Sequence, residues 1–133
     1  MTALLAMKYA DLSQEVTISY TPEGLESSAV LCGFEQGDKM MLSSLLSAAL
    51  IYSGNDAAIA VAGSQEAFVD MMNQESKELM TSHTHFANPT GLTQSKHYSS
   101  VYDVYLMFQE CLKYPTFRDI IARGSFLCYY TNA

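Results

Sequence analysis

Met41-Leu-Ser-Ser-Leu45-Leu-Ser-Ala-Ala-Leu50-Ile-Tyr-Ser53-Gly54-Asn55-Asp-Ala-Ala-Ile-Ala-Val-Ala62 is the stretch on which the reading of this chain turns. Apolar residues at 41, 42, 45, 46, 49 and 50 recur at helical spacing, with Ser43, Ser44 and Ser47 on the opposite face, so a helix is expected to end near Tyr52. Asn55 through Ala62 is rich in alanine and reads as a second, buried helix closed by Gly63. Ser53-Gly54 joins the two. In such a non-helical connection, residues two apart can face the same side, which Gly54 would assist by keeping the backbone permissive.

On the N-terminal side, residues 2 to 9 are dominated by alanine and leucine and predict a helix without a capping side chain. This apolar N-terminus lacks the basic region and cleavage site of a signal peptide and reads as the end of a helix. Val16 to Tyr20 alternates as a short strand, followed by a turn at Thr21-Pro22-Glu23-Gly24. Val30-Leu31-Cys32 fits either a second strand or a loop. Ser64 stands where it would cap a helix carrying Phe68, Met71, Met72 and Leu79 and running to about Met80. His83 to Tyr98, with Asn88-Pro89-Thr90-Gly91 inside it, predicts a long ordered loop. Ser100 and Asp103 have capping-box spacing, ahead of a helix whose packed face would be Val101, Val104, Tyr105, Phe108 and Leu112. Pro115 suits the first turn of a last helix, to about Ala122, and Phe126 to Tyr130 has strand composition. The fold class expected is α+β, predominantly helical, as one domain over residues 1–133.

Composition narrows the function classes. The chain has 133 residues, 49% apolar and 16% charged, with a net charge of -7, and its few cations are scattered, which argues against a nucleic-acid partner. The longest apolar stretch, Leu42 to Tyr52, is interrupted by serines and falls short of the ~20 residues a bilayer span needs. Cys32, Cys111 and Cys128 form no C-x-x-C pair and read as buried thiols, and their odd number leaves the redox compartment open. Met40, Met41, Met71 and Met72 sit at core-like positions.

Three constellations have chemical potential. Ser53-Gly54-Asn55 places a hydroxyl and an amide two residues apart; in isolation it is better explained by Ser53 and Asp56 capping the second helix. His83, His85 and His97 lack the carboxylate or thiolate partners of a zinc site, so no metal is implied. A Ser53, His85 and Asp103 triad is compositionally possible but has no G-x-S-x-G elbow. No lysine has a serine three residues before it; Thr93-x-x-Lys96 comes nearest, within the loop.

Leu45 to Ala58, Thr84-His85-Phe86-Ala-Asn88-Pro89-Thr-Gly91-Leu92 and His97-Tyr98-Ser99-Ser100-Val-Tyr102-Asp103, in this order, resemble the low-molecular-weight penicillin-binding proteins. Those are serine D-alanyl-D-alanine carboxypeptidases, which trim the terminal D-alanine from peptidoglycan stem peptides. The resemblance implies a β-lactamase/DD-peptidase-like fold in which this chain supplies the helical portion, with a few short strands. It implies that Ser53 relays a proton to the departing D-alanine and that Asn55 positions the catalytic lysine and the substrate peptide. Met1-Thr2-Ala3-Leu4 is similar to the segment immediately C-terminal to the family's Ser-x-x-Lys nucleophile motif. That motif is therefore expected upstream of Met1, and the Lys-Thr-Gly strand beyond Ala133.

A weak hydroxyl nucleophile needs a neighbouring base, so these 133 residues alone are expected to be inactive. The resemblance further implies no metal or organic cofactor, stem peptides and β-lactams as partners of the whole enzyme, and a place outside the bacterial cytoplasmic membrane. Uncovered apolar surface would favour self-association. A non-catalytic remnant binding peptidoglycan peptide or a protein, and an unrelated helical interaction domain, are the competing classes.

Overall fold

In the computed structural model, which describes residues 1–19 and 22–133, six helices pack around a small antiparallel sheet. Helix α1 spans Thr2–Tyr9, α2 Leu42–Ile51, α3 Asn55–Ala62, α4 Gln65–Glu78, α5 Val101–Cys111 and α6 Pro115–Ile121. Strands β1 (Glu15–Thr17), β2 (Lys39–Met41) and β3 (Tyr130–Thr131) lie in the order β1-β2-β3. Both pairings are antiparallel, with Val16 opposite Met40 and Met40 opposite Tyr130. Among the described residues no helix is long and apolar enough to cross a membrane.

Helices α1, α2 and α6 share one core, in which Leu4, Leu46, Phe117 and Ile120 meet. A second core, of Ile18, Met40, Leu42, Leu45, Ala48 and Ala57, sits between the sheet and helices α2 and α3. The central pair α2 and α3 thus presents apolar side chains to both cores. Backbone groups of the β1 approach cap α2: Leu42 N–H donates to Gln14 O at 2.9 Å and Ser43 N–H to Leu12 O at 3.0 Å. Two of the helix's orphan donors are satisfied in this way without a side-chain cap.

Several expectations are corrected. The strand expected over Val16–Tyr20 is the shorter Glu15–Thr17, while Tyr20 and Thr21, with part of the expected turn, lie outside the described residues. Ile18 nevertheless continues the pairing, donating to Asp38 O and accepting from Gly37 N–H. Val30-Leu31-Cys32 is a loop. The strand β2 was not foreseen; its Lys-Met-Met sequence has no β-branched residue and is extended because Val16 and Tyr130 pair on either side. The expected strand Phe126–Tyr130 enters the sheet only at Tyr130. Met40 and Met72 are core residues, whereas Met41 and Met71 are exposed, since each adjacent pair divides between inside and outside. Ser47, expected on the polar face of α2, is buried, its hydroxyl bonded to Ser43 O at 2.9 Å. Ser64 does occupy the N-cap position of α4, but its side chain makes no capping bond.

Helix α5 is rotated from its expected orientation. Val101 is 91% exposed and Phe108 45%, with Val104 and Tyr105 also outside, while Asp103, Met107 and Cys111 face inward; of the expected face, Leu112 packs against the Leu4–Phe117 core and the half-exposed Phe108 ring meets Phe117 edge to face. The cause is Asp103, which is 1% exposed and accepts hydrogen bonds from His83 N–H at 2.8 Å and Thr84 Oγ1 at 2.7 Å. A buried carboxylate without partners costs more than a few aliphatic groups gain by burial, so the polar anchor sets the rotation of the helix. Only half of the capping box forms: Ser100 Oγ accepts from Asp103 N–H at 3.1 Å, and the Asp103 carboxylate is committed to the preceding loop.

Candidate active-site turn

Helix α2 ends at Ile51, and the chain reverses through Tyr52, Ser53 and Gly54 into α3. Ser53 takes φ +62°, a left-handed conformation uncommon for a residue with a Cβ, which costs on the order of 1 kcal/mol. Through this residue the chain folds back far enough for Gly54 N–H to reach Ala48 O at 3.3 Å. The Ser53 side chain is exposed.

Gly54 has an ordinary φ of -66°, so backbone permissiveness is not why glycine stands there. A Cβ at this position would come within 2.3 Å of Cys32 Sγ and 3.1 Å of Asp56 Oδ1. The requirement is for close approach, and the strained conformation belongs to the serine.

Asn55 opens α3 and is only 8% exposed. Its Nδ2 donates to Val30 O at 3.0 Å, and its backbone N–H donates to the same carbonyl at 2.9 Å. Asp56, 5% exposed, completes the clamp. Its carboxylate accepts from Cys32 N–H at 2.9 Å, Gly33 N–H at 2.8 Å, Phe34 N–H at 3.2 Å and Ala57 N–H at 2.9 Å. The 30–34 loop is therefore bound to the beginning of α3 by both polar side chains of its first turn. Burial, reinforced by the Asp56 carboxylate, pushes the Cys32 thiol up to about 12. The alternative in which Ser53 caps α3 is overturned: Gly54 is the N-cap, no side chain caps it, and Asp56 is turned toward the loop.

The other sequence candidates lie in the 79–100 connection or, for Asp103, in the first turn of α5, and have structural partners. Ser82 Oγ contacts His83 Nδ1 at 3.0 Å, and His85 Nδ1 lies 2.6 Å from Lys96 O. His97 Nδ1 accepts from Ala87 N–H at 2.9 Å, and burial, with His85 nearby, holds its pKa below the ordinary imidazole value. Asp103 serves His83 N–H and Thr84, so His85 and Asp103 are not arranged as a relay toward Ser53. Among the described residues no three His, Cys, Asp or Glu side chains converge as metal ligands.

The connection is tied to the helices along its length. Asn73 of α4 donates to Phe86 O at 2.8 Å and accepts from Phe86 N–H at 2.9 Å, and Thr2 Oγ1 donates to Pro89 O at 2.7 Å. Asn88 Oδ1 accepts from Gly91 N–H at 2.8 Å, holding the Asn-Pro-Thr-Gly turn closed. Between this loop, the start of α1, and helices α2 to α6 is a cavity of about 540 Å³ lined mainly by apolar side chains such as Leu46, Met72, Phe86 and Met107. Ser53 and Asn55 are not among its lining residues.

Sequence reasoning placed Asp56 in a helix cap and not as the clamp of the 30–34 loop, and it did not find Asn73. Asp56 left a signal, an ionisable residue within an alanine-rich run, for which burial demands partners. Asn73, on the half-polar face of α4, left none.

Known proteins match this chain in sequence and in fold. The profile of the D-alanyl-D-alanine carboxypeptidase family covers residues 1–123. The D-alanyl-D-alanine carboxypeptidase DacF of Bacillus subtilis is 42% identical over 125 residues, covering 87% of this chain and 32% of its own length. DacB2 of Mycobacterium tuberculosis is 30% identical over 130 residues, covering 94% of this chain and 44% of its own. The chain thus spans about a third of the length of the first of these relatives and less than half of the second. A penicillin-binding protein homolog from Mycobacterium tuberculosis superposes with a TM-score of 0.84 at 30% identity, over 92% of this chain and 48% of that one. A point mutant of the Streptomyces K15 DD-transpeptidase gives 0.85 at 26% identity, over 98% and 55%. With its helix–turn–helix and anchored loop inside the matched span, the chain belongs to the D-alanyl-D-alanine carboxypeptidase family.

Proposed function

We propose that this chain contributes the Ser-x-Asn turn of a serine-type D-alanyl-D-alanine carboxypeptidase, which hydrolyses the terminal D-alanine of peptidoglycan stem peptides and is acylated by β-lactams. The observation that carries the reading is the exposed, left-handed Ser53 on a turn clamped by Asn55 and Asp56. Strain at a residue that a glycine could occupy more cheaply points to a selected side chain. In this role the Ser53 hydroxyl passes a proton toward the leaving amine. Asn55 acts from the buried side of the turn, where one Nδ2 proton is engaged by Val30 O.

No lysine of the chain follows a serine by three residues, and none precedes Thr-Gly. These 133 residues therefore supply no activated nucleophile and form no acyl-enzyme unaided. The substrate places the working enzyme outside the cytoplasmic membrane, in the bacterial envelope. The outward apolar face of α5, with Val101, Val104, Tyr105 and Phe108, supports self-association of the isolated chain, which sedimentation at rising concentration would detect.

A fluorescent penicillin tests the assignment. The isolated chain should remain unlabelled on denaturing electrophoresis. A chimaera in which a relative's Ser-x-x-Lys and Lys-Thr-Gly segments flank residues 1–133 should be labelled, and Ser53→Ala within it should lower turnover of a D-Ala-D-Ala peptide ~10²-fold or more. Labelling of the isolated chain would overturn the incomplete-site reading. Full turnover by the Ser53→Ala chimaera would remove Ser53 from the mechanism.

A further inference from the structure

Cys32 and Cys128 lie 96 positions apart in the sequence, yet both are half-buried and both line one cavity of about 430 Å³, together with Phe34, Tyr52, Phe126 and Tyr130. Both pack against the same core, that of Ile18, Met40 and Leu45. Two residues beyond each cysteine, the rings of Phe34 and Tyr130 meet edge to face with centroids 5.9 Å apart, which holds the 32–34 and 128–130 segments side by side. The third thiol, Cys111, is buried in the other core beside Leu4 and Phe117. We infer that Cys32 and Cys128 form an intramolecular disulfide in the folded chain when a small disulfide or a thiol oxidase is present, bonding the loop behind the Ser53–Asn55 turn to the approach of β3.

With a small disulfide such as oxidised glutathione, the Cys128 thiolate attacks one sulfur, breaks that S–S bond and releases one glutathione thiol. Cys32, after losing its proton to solvent, attacks the protein-bound sulfur of the mixed disulfide and releases the second. Two cysteine thiols are oxidised to one disulfide while one glutathione disulfide is reduced to two thiols. Cys128 is assigned the first attack because the Cys32 thiol is held protonated by burial and by Asp56, with Cys128 itself adding to that effect. Burial raises Cys128 as well, so the exchange is slow and suits a structural bond better than a fast sensor. Since Cys32 Sγ abuts Gly54 and its N–H is held by Asp56, the bond would fix the wall behind the candidate turn. None of this depends on the peptidase reading.

The test is to incubate the folded 133-residue chain with oxidised glutathione, alkylate remaining thiols in denaturant, and map peptides without reduction. The expected product is a monomer that carries one alkyl group, on Cys111, and has otherwise lost two hydrogens, linked Cys32 to Cys128. Cys111→Ser should form the same link. Cys128→Ser, a change at a half-buried side chain, should form none while keeping the far-ultraviolet dichroism of the parent. Three alkylated cysteines after oxidation, a link through Cys111, or a bond found only between chains would each overturn the inference.

Discussion

Two connections between helices in this chain are built in opposite ways. The α2–α3 turn is three residues long and its conformation is concentrated in one strained serine, one glycine without room for a Cβ, and one buried carboxylate. The α4–α5 connection runs over residues 79–100 and is held at many points, by Asn73, Asn88, Asp103, Thr2 and a Ser76–Thr81 hydroxyl pair. The first is rigid because almost nothing in it can be exchanged, and the second because no single bond has to hold it. A short turn of this kind fixes one hydroxyl in space, whereas the long loop fixes a surface.

The sharpest way to break the comparison is Asp56→Ala. It leaves the Cys32, Gly33 and Phe34 N–H groups without their acceptor beneath the turn, and a loss of roughly 3 kcal/mol is expected in urea unfolding. A loss below ~1 kcal/mol would mean that water replaces the carboxylate and that the turn is not clamped. Gly54→Ala should come next, at about 2 kcal/mol, because the new methyl must displace Cys32; Cys32→Ala in the same chain should recover part of that loss, which a purely conformational effect would not allow.

Asn73→Ala is expected to cost about 1 to 2 kcal/mol, less than Asp56→Ala, since the other ties of the loop survive. A larger loss than at Asp56 would invert the distinction between the two connections. Ser53→Gly should go the other way, stabilising by about 0.5 to 1 kcal/mol through relief of the left-handed strain, while the corresponding chimaera loses peptide turnover. Stability gained together with activity lost is the outcome that distinguishes a functional serine from a merely tolerated one.

The smallest effect expected is that of pH on the loop. His97 accepts a hydrogen bond at Nδ1, so its ring must be neutral there, and its folded pKa lies below the unfolded value. The unfolded chain thus binds the proton more readily. The contribution of His97 is fully present above the ordinary imidazole pKa of about 6.5 and is lost as pH falls through the lower, folded value. His97→Asn, which keeps an acceptor that does not titrate, should flatten that part of the stability profile, as measured by urea midpoints between neutral and mildly acidic pH.

Much of the architecture is legible in the sequence. Helices α1, α2, α3 and α6 stand close to their expected bounds because local periodicity and Gly or Pro punctuation agree there with the tertiary packing. Ser53 and Asn55 could be singled out because the flanking segments resembled a family, whereas the tripeptide alone was better explained as a cap. The rotation of α5 was misread for a definite reason: apolar periodicity assumes that apolar residues choose the buried face, and here Asp103 chose it. The strand β2 escaped notice because its conformation is imposed by its neighbours.

By itself, the sequence determined the helical character, the order of the elements, and a Ser-Gly-Asn step at the junction of two apolar helices, all of which depend on residues near one another along the chain. Tertiary structure alone decided that the strain sits on Ser53, that Gly54 is required by Cys32, that Asp56 binds a loop more than twenty positions away, and that α5 turns its aromatic face outward. Each of these is a competition for the same space or the same hydrogen-bond donors between distant segments, which becomes definite only when the chain has closed on itself.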